Sequence, residues 1–144
     1  MRYLGKVCKG KNGETLYPND ADMMYKIDSR LAVDGDFFDS YAAFTIPMVP
    51  AYANKDDHFI AYITKKFPDY LKVLEDTLAA NGPYICGKEM TIADCSTAAV
   101  FFKTSHNDAY EHSLILASIV NKYPKVKAWV EMMGGHMKET INNT

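Results

Sequence analysis

With 144 residues, 48% of them hydrophobic and 24% charged, the chain has the size and balance of one globular domain with a substantial core. A net charge of −2 without a basic cluster gives no footing for a nucleic acid or an anionic membrane as partner. No apolar run approaches the ~20 residues that cross a bilayer and no signal-like stretch opens the chain, so a cytosolic location is the default expectation.

In chain order, every periodic segment reads as helix. Leu16-Tyr17-Pro18 leads into a long helix, with Asn19 as the expected cap and Asp20 and Asp22 at its positive dipole end. Met24, Ile27, Leu31, Gly35, Phe38 and Tyr41 then recur at three- and four-residue spacing, one apolar stripe. Gly35 weakens that helix by about 1 kcal/mol relative to Ala, a cost explicable by a neighbouring helix packed close against it. Pro47 and Pro50 close the segment. A second long helix begins near Asn54, with Ile60, Ile63, Phe67, Tyr70, Leu74 and Leu78 as its stripe. Pro68 inside it predicts a kink, and Asn81-Gly82-Pro83 ends it.

The next helix opens on the most specific local signal in the chain. Thr91 is placed to cap with its hydroxyl and Asp94 to reach back to the Thr91 amide, a capping box with Asp in the usual Glu or Gln position. Met90 and Cys95 flank it as a hydrophobic staple. From Cys95 to Phe102 almost no charge follows, so this helix, extending to about His106, belongs in the centre of a core. Further helices are expected over about Glu111–Lys122 and from Pro124 to Gly134-Gly135. Nothing alternates as a strand would, so the fold class is an all-α bundle of about five helices. Thr91 and Asp94 serve folding rather than chemistry.

The Thr91-Ile92-Ala93-Asp94 start resembles that of the buried helix in the C-terminal domain of glutathione transferases. Two other stretches resemble the same family in the same order. Arg2-Tyr3-Leu4-Gly5-Lys6, followed by Leu16-Tyr17-Pro18, is similar to the end of its thioredoxin-like domain and the linker beyond, and Tyr123-Pro124-Lys125-Val126-Lys127-Ala128-Trp129 to its penultimate helix. The resemblance spans essentially the whole chain and lies nearest the sigma- and mu-like branches. It implies that residues 1–16 are a remnant of the last thioredoxin-domain helix with its linker, and that 17–144 are the helical domain.

What the resemblance implies for function follows from which half is represented. The family's catalytic Tyr, Ser or Cys, and most of its glutathione site, belong to the thioredoxin-like half, so no catalytic residue is expected here. Asp36 falls at the position that reaches across the dimer to the glutathione amine, with Asp34 as its rival; pairing of carboxylate with ammonium is the physical basis. Phe37, Tyr41 and Ile46 are the expected lining of the apolar acceptor site, the phenol offering a hydrogen bond to an electrophile. The implied reaction is conjugation of glutathione, as co-substrate, to an apolar electrophile. No resident cofactor is implied, and the expected partner is a second copy of the chain. Without the thioredoxin-like half the chain is expected to be inactive, as a truncated transferase; the alternative is a non-catalytic assembly module descended from the family.

The remaining reactive residue types form no site in the sequence. Cys8, Cys86 and Cys95 are odd in number and lack a Cys-x-x-Cys pair, and the four histidines have no ligand spacing, so no metal site is expected. Cys95 reads as a small core residue and Cys86 as a loop thiol open to mild reactivity.

Overall fold

The computed structural model describes residues 1–10, 13–45 and 55–142. Its helices are α1 (Arg2–Val7), α2 (Ala21–Thr45), α3 (Lys55–Ala61), α4 (Phe67–Asn81), α5 (Ile92–Lys103), α6 (Ser113–Val120) and α7 (Pro124–Asn142), with a single π-helical turn, Tyr62–Lys66, between α3 and α4. The described residues contain no strand, only isolated bridges at Lys9–Thr15 and Tyr84–Gly87. None of their helices is long and apolar enough to cross a membrane. The all-α class is therefore met. Ile46, Pro47, Pro50 and Asn54 lie outside the described residues.

α5 is the axis of the bundle. Ile92, Ala93, Thr97, Ala98, Val100 and Phe101 are all buried, against α2 on one side and α7 on the other. Its first turn is satisfied almost completely. Leu16 O accepts the Ile92 amide at 2.9 Å, Thr91 Oγ1 accepts the Ala93 amide at 3.3 Å, and the Asp94 carboxylate takes the Thr91 amide at 2.9 Å. The helix ends at Lys103, three residues short of the expected end, with Thr104 as its C-cap. There the Thr104 hydroxyl donates back to Val100 O and unwinds the next turn.

Several elements depart from the sequence reading, each for a local reason. The cap of α2 is Asp20 rather than Asn19: its Oδ1 accepts the Met23 amide at 2.9 Å. Pro68 produces a π-turn. Its ring excludes an ordinary α-turn, and the chain widens so that the Phe67 amide bonds Tyr62 O five residues back. The extra residue shifts the buried face, so Tyr62 points inward while Ile60, expected on the stripe, is 55% exposed. Downstream the register is as expected, with Phe67, Tyr70, Leu74 and Leu78 buried. Gly82, at φ +106°, ends α4 in a conformation open to glycine.

The last helix runs through Gly134 and Gly135 instead of ending there. Neither glycine adopts a positive φ, and Gly134 lies under the Phe102 ring. At the other end of α7, the Glu75 carboxylate from α4 accepts the Lys125 and Val126 amides at 3.1 and 2.9 Å, a cap delivered from another helix. The two glycines thus weaken a helix that tertiary contacts hold. A Cβ added at Gly135 meets no atom of the described residues within 4 Å, so Gly135→Ala is expected to stabilise the domain by roughly 0.5–1 kcal/mol in chemical denaturation.

The cysteines exchange the roles assigned to them. Cys86 is the buried one, packed in the core, and burial pushes its thiol pKa up, away from reactivity. Cys95 is only half-buried and Cys8 is exposed.

Candidate functional site: a groove between two helices

α2 turns an unexpected face to the core. Ile27, Arg30, Asp34 and Phe37 point inward, while Gly35 and Phe38 of the apolar stripe face out and Leu31 is only half-buried. The inward charges form a closed network. Arg30 Nη2 lies 2.9 Å from Asp34 Oδ1 and also bonds the Tyr70 hydroxyl, and Arg30 Nε donates to Thr97 Oγ1 at 3.1 Å. Tyr70 donates to Asp34 Oδ1 at 2.9 Å and Thr97 to Asp34 Oδ2 at 2.7 Å. The guanidinium also rests over the Tyr70 ring, 4.6 Å from its centroid. Arg30 is 6% and Asp34 4% exposed. Apolar periodicity could not show this, because two of the inward positions are charged.

The rotated stripe becomes one wall of a groove of about 820 Å³. Leu31, Ala32, Gly35 and Phe38 form most of the α2 side, together with the carboxylates Asp28 and Asp34, and Ser96, Ala99, Val100 and Lys103 of α5 lie opposite. Met1, Arg2 and Tyr3 of α1 close one end. At the other, the Lys103 ammonium sits 5.8 Å from the centre of the Phe38 ring. Among the described residues no atom lies within 4 Å of a Cβ added at Gly35, so none of their helices is the close neighbour expected on this side of α2.

α1 is seated by a close contact and an ion pair. A Cβ at Gly5 would fall 2.5 Å from Ile92 Cγ2 and 2.8 Å from Tyr17 Cβ, so only glycine lets α1 lie flat on the start of α5. Arg2 Nε bonds Asp28 Oδ1 at 2.8 Å, and the Tyr17 hydroxyl donates to the same oxygen at 3.1 Å. The hydrogen bond from Arg2 holds the Asp28 carboxyl below its ordinary pKa. A depressed carboxyl contributes above its ordinary range, and the contribution is lost as pH falls through the folded-state value. Acidification is therefore expected to loosen α1, seen as lower hydrogen-exchange protection factors at residues 5–8, relative to the intrinsic rate at each pH. Asp28→Asn should remove most of that pH dependence.

Of the site residues expected from sequence, Asp34, the rival of Asp36, borders the groove, and the others are not brought to it. Phe37 is 6% exposed, its ring 3.9 Å from that of Tyr70 and 5.4 Å from Tyr62, inside an aromatic core. Tyr41 is half-buried at the edge of that core, its ring 6.1 Å from Tyr110 and from Phe38, and burial pushes its phenol pKa up. Asp36 is exposed and does not line the groove. Ile46 lies outside the described residues.

Asp94 is fully buried. It accepts from the Ile85 amide at 2.9 Å and the Trp129 indole at 3.1 Å, besides the Thr91 amide and hydroxyl. Burial raises its pKa while those donors pull it back. No cluster able to hold a metal ion occurs among the described residues. The groove residues Leu31, Gly35 and Phe38 carried a signal in the sequence, the apolar stripe; its reading as core was the part that failed.

An all-α bundle built on a capped central helix, with a groove along that helix, fits the helical-domain architecture that the resemblance of the Thr91–Asp94 start implies. The comparisons say the same: residues 36–138 match the glutathione S-transferase C-terminal domain, and the chain belongs to that family. It is 33% identical over 82 residues to hematopoietic prostaglandin D synthase of Gallus gallus, spanning 54% of this chain and 41% of that protein. Among solved structures it is similar to rat hPGDS complexed with a quinoline, with a TM-score of 0.51 and 23% identity over 91% of this chain and 63% of that one. That likeness is one of fold. The chain thus corresponds to less than half the length of its curated relative.

Proposed function

We infer that this domain is the acceptor-binding and subunit-contact half of a glutathione transferase, conjugating glutathione to apolar electrophiles when joined to a thioredoxin-like half. The observation that carries this reading is the groove. An apolar wall with Phe38 42% exposed, and a bare Gly35, runs beside an α1 whose outer face shows Tyr3, Leu4 and Val7 to solvent. Such a contiguous apolar surface is one that a second domain covers. In this reading the thioredoxin-like half docks there and holds glutathione as the thiolate, which is the nucleophile. The groove rim then supplies proximity and orientation for the electrophile. No nucleophile is needed from this chain.

The test is a fusion of this chain to a thioredoxin-like half from a glutathione transferase, assayed for conjugation of glutathione to a chloronitroaromatic. Turnover by the fusion and none by the chain alone supports the reading. A folded fusion without turnover overturns it, and a stable complex with another protein in that case carries the assembly-module alternative.

Two residues gain specific roles in the same reading. Tyr41, at the core edge with its ring 6.1 Å from that of Phe38, serves the acceptor. Asp36, exposed and off the groove, is available to the ammonium of glutathione held by a second subunit. In the active fusion, Asp36→Ala is expected to raise the glutathione KM about tenfold, or ~1.4 kcal/mol, with unchanged Tm.

A further inference from the structure

α2 has two candidate inward faces, and hydrophobicity favours the one the structure does not use. The stripe through Leu31, Gly35 and Phe38 and the face through Arg30, Asp34 and Phe37 are one residue apart, about 100° of rotation. Turning the first inward would bury Leu31 and Phe38 and return two charges to water, while taking Phe37 out of the aromatic core. The observed rotation buries the charges and leaves Phe38 42% exposed. Its contacts are apolar at the ends, where Ile27 and Phe37 are buried and the Phe37 ring lies 3.9 Å from that of Tyr70, and polar between them: Tyr70 of α4 and Thr97 of α5 both bond the Arg30–Asp34 pair, using both oxygens of the carboxylate. Those donors stand only where the present rotation brings the pair.

We propose that the Arg30–Asp34 pair, read by Tyr70 and Thr97, is a positioning device that sets the rotation of α2 and so keeps Leu31, Gly35 and Phe38 on the groove. A buried ion pair contributes little net stability against an apolar replacement of the same volume. Its effect here is on which face is offered. The proposal concerns the shape of the groove and holds whether or not the transferase reading does.

The test reads the groove directly in the full chain. Gly35→Cys places a thiol where a Cβ meets no atom of the described residues within 4 Å, and maleimide labelling is followed peptide by peptide, with the exposed Cys8 as internal standard. In the parent the introduced thiol is expected to label at a rate comparable to Cys8. Adding Tyr70→Phe with Thr97→Val removes the donors on α4 and α5. The charges should then turn to water, and labelling at position 35 should fall sharply while helical circular dichroism is retained. Arg30→Met with Asp34→Leu, apolar on both faces, should keep or raise Tm yet split the labelling into fast and slow populations. Thr97→Ser, which keeps the hydroxyl, should label like the parent. Unchanged single-rate labelling in both double variants overturns the proposal. So does unfolding of both, because the network would then be required for folding and not for the choice of face.

Discussion

Asp94→Ala is expected to destabilise the domain by about 3–5 kcal/mol, well beyond the ~1–2 kcal/mol of an ordinary cap. The excess comes from what else the carboxylate holds. Besides the Thr91 amide and hydroxyl, it accepts the Ile85 amide from the preceding loop and the Trp129 indole from α7. Removing it leaves several buried donors unpaired at once, in a site closed to solvent. A typical domain has ~5–15 kcal/mol in total, so such a variant stands near the edge of folding. Trp129 is the single tryptophan of the chain, so its fluorescence reports the loss directly. Urea titration should show a lower midpoint with an unchanged slope. A loss near 1 kcal/mol would mean that the bonds to Ile85 and Trp129 contribute nothing.

Arg30→Met is expected to cost a similar amount, about 3–5 kcal/mol, because it strands the Asp34 carboxylate in the core. Tyr70 and Thr97 would still donate to it, but its counter-charge would be gone. The check is a Tm measurement at neutral pH, with the wild type measured alongside. A variant as stable as wild type at neutral pH would show that α2 had already turned the carboxylate out to water.

These two sites differ in how far the sequence disclosed them. Thr91 and Asp94 were legible because capping is local: the partners are three residues apart and the geometry follows from the helix start alone. The breaks at Gly82 and before Pro124 were legible for the same reason, as were the inward positions of α4 from Phe67 to Leu78. Arg30 and Asp34 were not, since a charge reads as a surface residue until its partners are known, and Tyr70 and Thr97 lie 40 and 67 residues from Arg30. That misreading turned α2 by one position. It carried the expected acceptor residue Phe37 into the core and set Phe38 on the groove.

Local sequence determined that the chain is helical, where most helices start, that α5 is central, and to which family the domain belongs. Each rests on signals within a few residues: caps, turn residues and uncharged runs. Tertiary structure decided which face of α2 is buried, how Pro68 is absorbed by a π-turn, and why α7 continues past two glycines. Those outcomes depend on groups far apart in the chain. Hydrogen bonds from Tyr70 and Thr97 offset the burial of two charges, Glu75 caps α7 from a different helix, and Phe102 packs over Gly134.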